Sequence, residues 1–169
     1  MKKILFIRRD NIGDLICTTP SIHAVRERYP DAKIGIITTG KSYLDVRAAM
    51  EELGIDEIKA NQLGLRLYKV GMPWPLESEG VKRFAEGLDL ILVVEEKRSL
   101  IETQVKEQLY DLPNRPQVLG KKDENEQWLF PAKGALESTQ IALALGERMI
   151  RAGRCGEGIR ARVDELRKR

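Results

Sequence analysis

The chain has 169 residues, 42% hydrophobic, 33% charged and 5% aromatic, with a formal net charge of +3; this is the profile of a globular domain that folds without disulfide or metal staples. No run approaches the ~18 apolar residues of a membrane helix, and the apolar stretch in the opening MKKILFIRRDN is too short for a signal peptide, so no membrane span and a cytoplasmic location are expected. Cys17 and Cys155 lie far apart and form no C-x-x-C, which excludes an iron–sulfur cluster or ordinary structural zinc held by this chain alone, and no metal site is expected.

Ile4–Ile7 reads as a buried strand, and Asn11-Ile12-Gly13-Asp14 as a turn. A helix over roughly Asp14–Arg28 follows, with Pro20 either a kink or a true start capped by Thr19. Asp14, at a strand-to-helix turn, has the chemistry of a general base if a sugar hydroxyl lies beside it; helix capping and the helix dipole explain it equally well. The single histidine, His23, stands in this stretch with no partner for a nucleophilic triad in view.

Ile34–Thr38 is a second strand. Ser42 and Asp45 resemble a capping box, and the helix they open is expected to bury Leu44, Ala48 and Leu53, with Gly54 closing it. Gly35–Ser42 formally matches G-x-x-x-x-G-K-[ST], although Ile36, Ile37 and Thr38 are strand formers where a phosphate loop needs a curled backbone. Nucleotide binding at Gly35–Ser42 is therefore an alternative reading. A weaker expectation is an anion held by Gly40, Lys41 and Ser42 at a helix start.

A short helix over Ile55–Leu63 and a strand at Leu65–Val70 come next, then a rigid loop, Gly71-Met72-Pro73-Trp74-Pro75. Trp74 between two prolines is a candidate interface residue, or a side chain packed on its own domain. The helix near Glu77–Glu86 has Leu76 and Val81 placed as a hydrophobic staple.

Leu90–Val94 is the most apolar strand. Glu95 and Glu96 stand at its carboxyl end, where open α/β sheets bind ligands, and are candidate interface residues; a solvated loop beside Lys97 and Arg98 is the plainer reading. Ser99 and Glu102 form an S-x-x-E capping box before Ile101, Val105 and Leu109, and Pro113 stops that helix. Gln117–Gly120 reads as a short edge strand, and 121–134 as polar and unpatterned apart from Trp128-Leu129-Phe130. Helices near Ser138–Ala152 and Gly158–Lys168 flank a hinge at Gly153–Gly158. The expected fold class is α/β, a three-layer sandwich with a mostly parallel sheet and a C-terminal helical tail.

Charge is unevenly distributed. Residues 1–33 carry a net +3, residues 34–145 a net −4 and residues 146–169 a net +4. No nucleic-acid motif accompanies the basic ends, so no nucleic-acid partner is expected.

Residues 34–169 resemble indolepyruvate ferredoxin oxidoreductase through IGIITTGKSYLDVRAAMEELGID, through LGLRLYKVGMPWPLESEGVKRFAEGLDLILVVEEKRSLIETQVKEQLYDLPNRPQVLGKKDE and through FPAKGALESTQIALAL. The region is similar to that family's middle domain, which has the fold of the transketolase C-terminal domain. The resemblance implies thiamine diphosphate, Mg²⁺ and iron–sulfur clusters that convert an aryl pyruvate and coenzyme A to an acyl-CoA and reduce ferredoxin. The chain lacks the cluster cysteines and a GDG…N thiamine-binding segment, and it ends before the pyrophosphate-binding domain would begin. The implied role is thus a non-catalytic structural or assembly domain that binds no cofactor alone, with the other domains or subunits of the oxidoreductase as partners.

Residues 1–33, MKKILFIRRDNIGDLICTTPSIHAVRERYPDAK, instead resemble the start of glycosyltransferase family 9, the heptosyltransferase-like enzymes, with Asp14 where that family has its proposed base. Sugar transfer through Asp14 is the alternative activity this implies. The chain then reads as a chimera joined near Lys33–Ile34: a strand–helix unit at 1–33, a transketolase C-terminal-like domain at 34–150 and a basic helical tail at 151–169.

Overall fold

A computed structural model describes residues 33–168. Asp14, the strand expected at Ile4–Ile7 and the helix expected after it lie outside the described residues. The elements are β1 (Ile34–Thr39), α1 (Ser42–Glu52), α2 (Glu57–Gln62), β2 (Leu65–Val70), α3 (Ser78–Ala85), β3 (Leu90–Val94), α4 (Leu100–Gln108), β4 (Gln117–Leu119), α5 (Ser138–Arg151) and α6 (Glu157–Leu166). The four strands form one sheet, ordered β2-β1-β3-β4, and every neighbouring pair is parallel.

Alternation along the strands divides the core in two. Ile34, Ile36, Leu92 and Val94 join one apolar cluster with Val46 and Ala49 of α1, Ile141 and Leu145 of α5, and Ile159 and Val163 of α6. Ile37, Ile91 and Val93 point the other way, into a cluster with Val81 and Phe84 of α3 and Ile101 and Val105 of α4. A parallel sheet buried on both faces needs strands with few polar positions, and LILVV meets that need. The result is the expected α/β three-layer arrangement with helices at the C-terminal end.

The matched G-x-x-x-x-G-K-[ST] does not form a phosphate loop. Gly35 to Thr39 lie inside β1, in register with β2 on one side, and Gly35 to Thr38 are in register with β3 on the other, so the sheet takes up their backbone. Gly35 serves packing instead: a Cβ there would stand 2.5 Å from Leu88 Cδ1 and 2.8 Å from the Phe84 ring.

Two local expectations are corrected. Leu44 is 65% exposed, and α1 buries Val46, Ala49 and Met50, with Leu53 just past its end. The apolar face is thus rotated from the one read off Leu44 and Ala48, because α5 packs against Val46 and Ala49. The Ser42–Asp45 capping box is also absent. Lys41 is the N-cap without a side-chain cap bond, and Asp45 accepts from Lys41 Nζ at 2.7 and 2.9 Å. By contrast, Leu76 and Val81 are both buried in one cluster as the staple requires, and the Glu77 carboxylate caps α3 through Glu79 N–H and Gly80 N–H.

The segment 121–134 is a structured excursion from the end of β4. Lys122 and Trp128 bridge antiparallel, and the Lys121 carbonyl accepts from Leu129 and Phe130 N–H. Phe130 is fully buried. Arg148 of α5, 5% exposed, donates to Glu124 at 2.9 Å and fastens the excursion to the helix layer. In the segment read as a basic tail, α6 buries Ile159, Val163 and Leu166 and packs so tightly on α5 that a Cβ at Gly146 would meet Val163 Cγ2 at 2.4 Å.

Candidate functional site

The carboxyl end of the sheet gathers the polar residues that follow β1, β3 and β4. Glu95, directly after β3, is only 5% exposed. Its Oε2 accepts the N–H groups of Leu100 and Ile101 at 3.0 and 2.8 Å, and its Oε1 accepts that of Glu102 at 3.0 Å. A buried carboxylate thus satisfies three of the orphan donors at the start of α4 and complements its dipole. Here the S-x-x-E expectation fails. Ser99 is the N-cap but makes no side-chain cap bond, because Glu95 already occupies the position from which those donors are reached.

Lys121, after β4, is also buried. Its ammonium donates to the backbone carbonyls of Glu95 and Pro131, and its N–H donates to Glu102 Oε2 at 2.9 Å. Glu102 Oε1 accepts from Lys106 Nζ at 2.6 Å. No room remains for a larger residue at position 120, where a Cβ would lie 2.2 Å from Glu102 Oε2.

Titration follows from this packing. Burial raises the Glu95 carboxyl above its ordinary value, against the opposing pull of its three N–H donors and Lys121. Burial lowers the Lys121 ammonium despite the nearby Glu95, Glu102 and Glu96. At Glu102 burial acts upward, but the Lys106 ammonium and the Lys121 N–H outweigh it, and the carboxyl sits below 4.5. A depressed carboxyl contributes stability above its unfolded value and loses it as the pH falls through its folded value. Glu102→Gln is therefore expected to lose about 1–2 kcal/mol near pH 7, with the gap to wild type closing below pH 4.5. Urea titrations of both proteins across pH 3–7 check this, and a gap that stays constant contradicts it.

At the end of β1, Lys41 is held by Asp45 and stands 3.7 Å from Glu96 Oε1, bridging the ends of β1 and β3. Ser42 is buried, and the first N–H groups after the turn go to the Gly40 and Lys41 carbonyls. Gly40, Lys41 and Ser42 therefore sit beside two carboxylates. Trp74 is 68% exposed on the loop after β2, with Met72 and Leu100 also exposed. Gln104 of α4 fastens that loop: its Nε2 donates to Pro73 O and Leu100 O, both at 2.9 Å, and its Oε1 accepts from Leu76 N–H.

Among the described residues, no three His, Cys, Asp or Glu side chains gather as a metal site would require. No described helix is long and apolar enough to cross a membrane. The structure brings Glu95, Glu96 and Lys41 to one sheet edge. Sequence reasoning missed Lys121, Gln104 and Arg148. The only advance signal was the position of Lys121 next to a strand end and a glycine.

Three comparisons bear on this arrangement. The profile of the indolepyruvate oxidoreductase domain matches residues 24–169, a span that takes in the last ten residues of the segment resembling a glycosyltransferase. The chain is 37% identical over 91 residues to the indolepyruvate oxidoreductase subunit IorA of Thermococcus kodakarensis. It is 36% identical to that of Pyrococcus abyssi and 37% to that of Pyrococcus horikoshii, each over 91 residues. These matches cover 54% of the chain and 13% of each relative. Among solved structures, a split-gene transketolase described as an inactive beta4 tetramer aligns over 80% of this chain and 38% of its own, with a TM-score of 0.40 and 16% identity.

Proposed function

The chain belongs to the indolepyruvate oxidoreductase domain family, and from that premise we propose that it is a structural and assembly domain of a 2-oxoacid oxidoreductase, without turnover of its own. The observation that supports this most directly is Glu95. It is a carboxylate at the sheet edge where α/β enzymes place their chemistry, yet both its oxygens are committed to the backbone of α4. Lys121, the buried cation beside it, is likewise committed to two backbone carbonyls. The buried polar residues of this edge, Glu95 and Lys121, hold the fold together, and the exposed Lys41 is paired with Asp45 and Glu96.

In this reading the exposed Trp74, with Met72 and Leu100, meets other domains or subunits of the oxidoreductase, which is what a rigid aromatic at a rim is suited to do. Thiamine diphosphate, Mg²⁺ and the iron–sulfur clusters belong to those other parts, and they supply the decarboxylation and electron transfer. Purified chain mixed with indolepyruvate, thiamine diphosphate, Mg²⁺, coenzyme A and a dye acceptor should reduce no dye. Turnover that survives repurification would overturn the proposal.

A further inference from the structure

A cleft of about 730 Å³ is lined by Gln117, Val118 and Leu119 of β4, the edge strand of the sheet, together with Lys97, Arg98 and Glu102 from the β3–α4 side and Trp128 and Lys133 from the excursion. Gln117 N–H bonds inward to Asp89 O. Alternation along a parallel ladder then turns the N–H and C=O of Val118, a residue that lines the cleft, away from β3. The walls are charged, and the charges are not balanced. Each acidic wall residue already faces a cation of this chain: Glu102 faces Lys106, Asp123 and Glu124 face Arg148, and Glu126 faces Lys122. Lys97, Arg98 and Lys133 also line the cleft and are exposed, and they make no ion pair among the described residues. Trp128, 66% exposed, stands at the same cleft.

We propose that this cleft docks an extended acidic segment of a protein partner, which adds to the edge of β4 through Val118 and sets carboxylates against Lys97, Arg98 and Lys133. Three cations with no counter-charge among the described residues give the sign of the partner. An outward-facing strand edge gives its conformation, because main-chain bonds to an edge require an extended peptide. The inference deepens the assembly reading by giving one partner's chemistry. Its test reads binding, while the dye assay reads turnover, so the two fail separately.

The probe is a blocked peptide of alternating Glu and Val, titrated into the full chain carrying Trp74→Phe so that Trp128 reports alone. Saturable quenching is expected, weakened about tenfold or more by Lys97→Glu/Arg98→Glu/Lys133→Glu. The Val118 amide of the wild-type chain should gain protection from hydrogen exchange when the peptide binds, a readout that needs no variant to fold. Equal binding by a Lys–Val peptide, tighter binding by oligothymidylate, or an unchanged exchange rate at Val118 would each overturn the proposal. Full protection of Val118 before any peptide is added would also overturn it, because the edge is then covered within the chain.

Discussion

Glu95→Ala is expected to lower stability by about 3 kcal/mol at neutral pH. The substitution leaves three N–H groups at the start of α4 without an acceptor, and it takes away the carboxylate closest in role to the buried Lys121 ammonium. A lost cap alone is worth about 1 kcal/mol, and an unsatisfied buried donor or uncompensated buried charge adds more. Glu95→Gln retains one acceptor oxygen and should fall between the two proteins. The pH dependence has the opposite sign to that of Glu102. Burial raises the Glu95 carboxyl, so the titration-linked part of its contribution is fully present below pH 4.5 and is lost as the pH rises through the folded value, while the bonds to the α4 N–H groups remain at neutral pH. Wild type should therefore gain on Glu95→Gln as the solution is acidified. Equilibrium unfolding in urea at several pH values measures both effects, and a loss below 1 kcal/mol for the alanine variant would show that α4 is capped by something else.

Phe130→Ala is expected to have a larger effect, about 3–5 kcal/mol, as for other large side chains removed from a close-packed interior. Phe130 is fully buried among the largest core side chains, in the cluster shared by α1, α5 and α6. Its backbone N–H also closes the excursion on the Lys121 carbonyl. The loss should appear in the denaturation midpoint, and it should be accompanied by faster amide exchange over 121–130 than elsewhere. Trp128→Ala, two residues away and exposed, serves as the control and should change stability by less than about 0.5 kcal/mol.

The contrast between these two residues shows what a sequence can carry. Leu65–Val70 and Leu90–Val94 were legible as strands because short apolar runs between turn signals have few other uses. The staple at Leu76 and Val81 was legible because it is local. Phe130 was not, since it sits in a polar stretch whose one apolar triplet gives no period, and its burial depends on α5 arriving from later in the chain. For Glu95 the sequence offers a candidate interface residue at a sheet edge, or a solvated neighbour of Lys97 and Arg98, and neither reading makes it a helix cap. Its actual donors lie five to seven residues ahead, beyond the Ser99 that a local capping rule favours. Leu44 failed for the same reason. The face that α1 buries is decided by α5, and two apolar residues four apart do not choose between faces.

The contact between α1 and α5 also has a consequence for how the chain is made. Ser138 and Thr139 donate to the Glu52 carboxylate across 86 and 87 residues of sequence. At a synthesis rate of about 5–20 residues per second, α5 leaves the ribosome roughly 4–17 s after the helix it covers. For that interval Val46, Ala49 and Leu53 lack the cover that α5 gives, and a nascent chain halted in this window presents that apolar stripe to whatever is nearby. Slowing translation after α1 has emerged from the ribosome and before α5 has should therefore increase capture by hydrophobic-binding chaperones, whereas slowing it before α1 emerges should not.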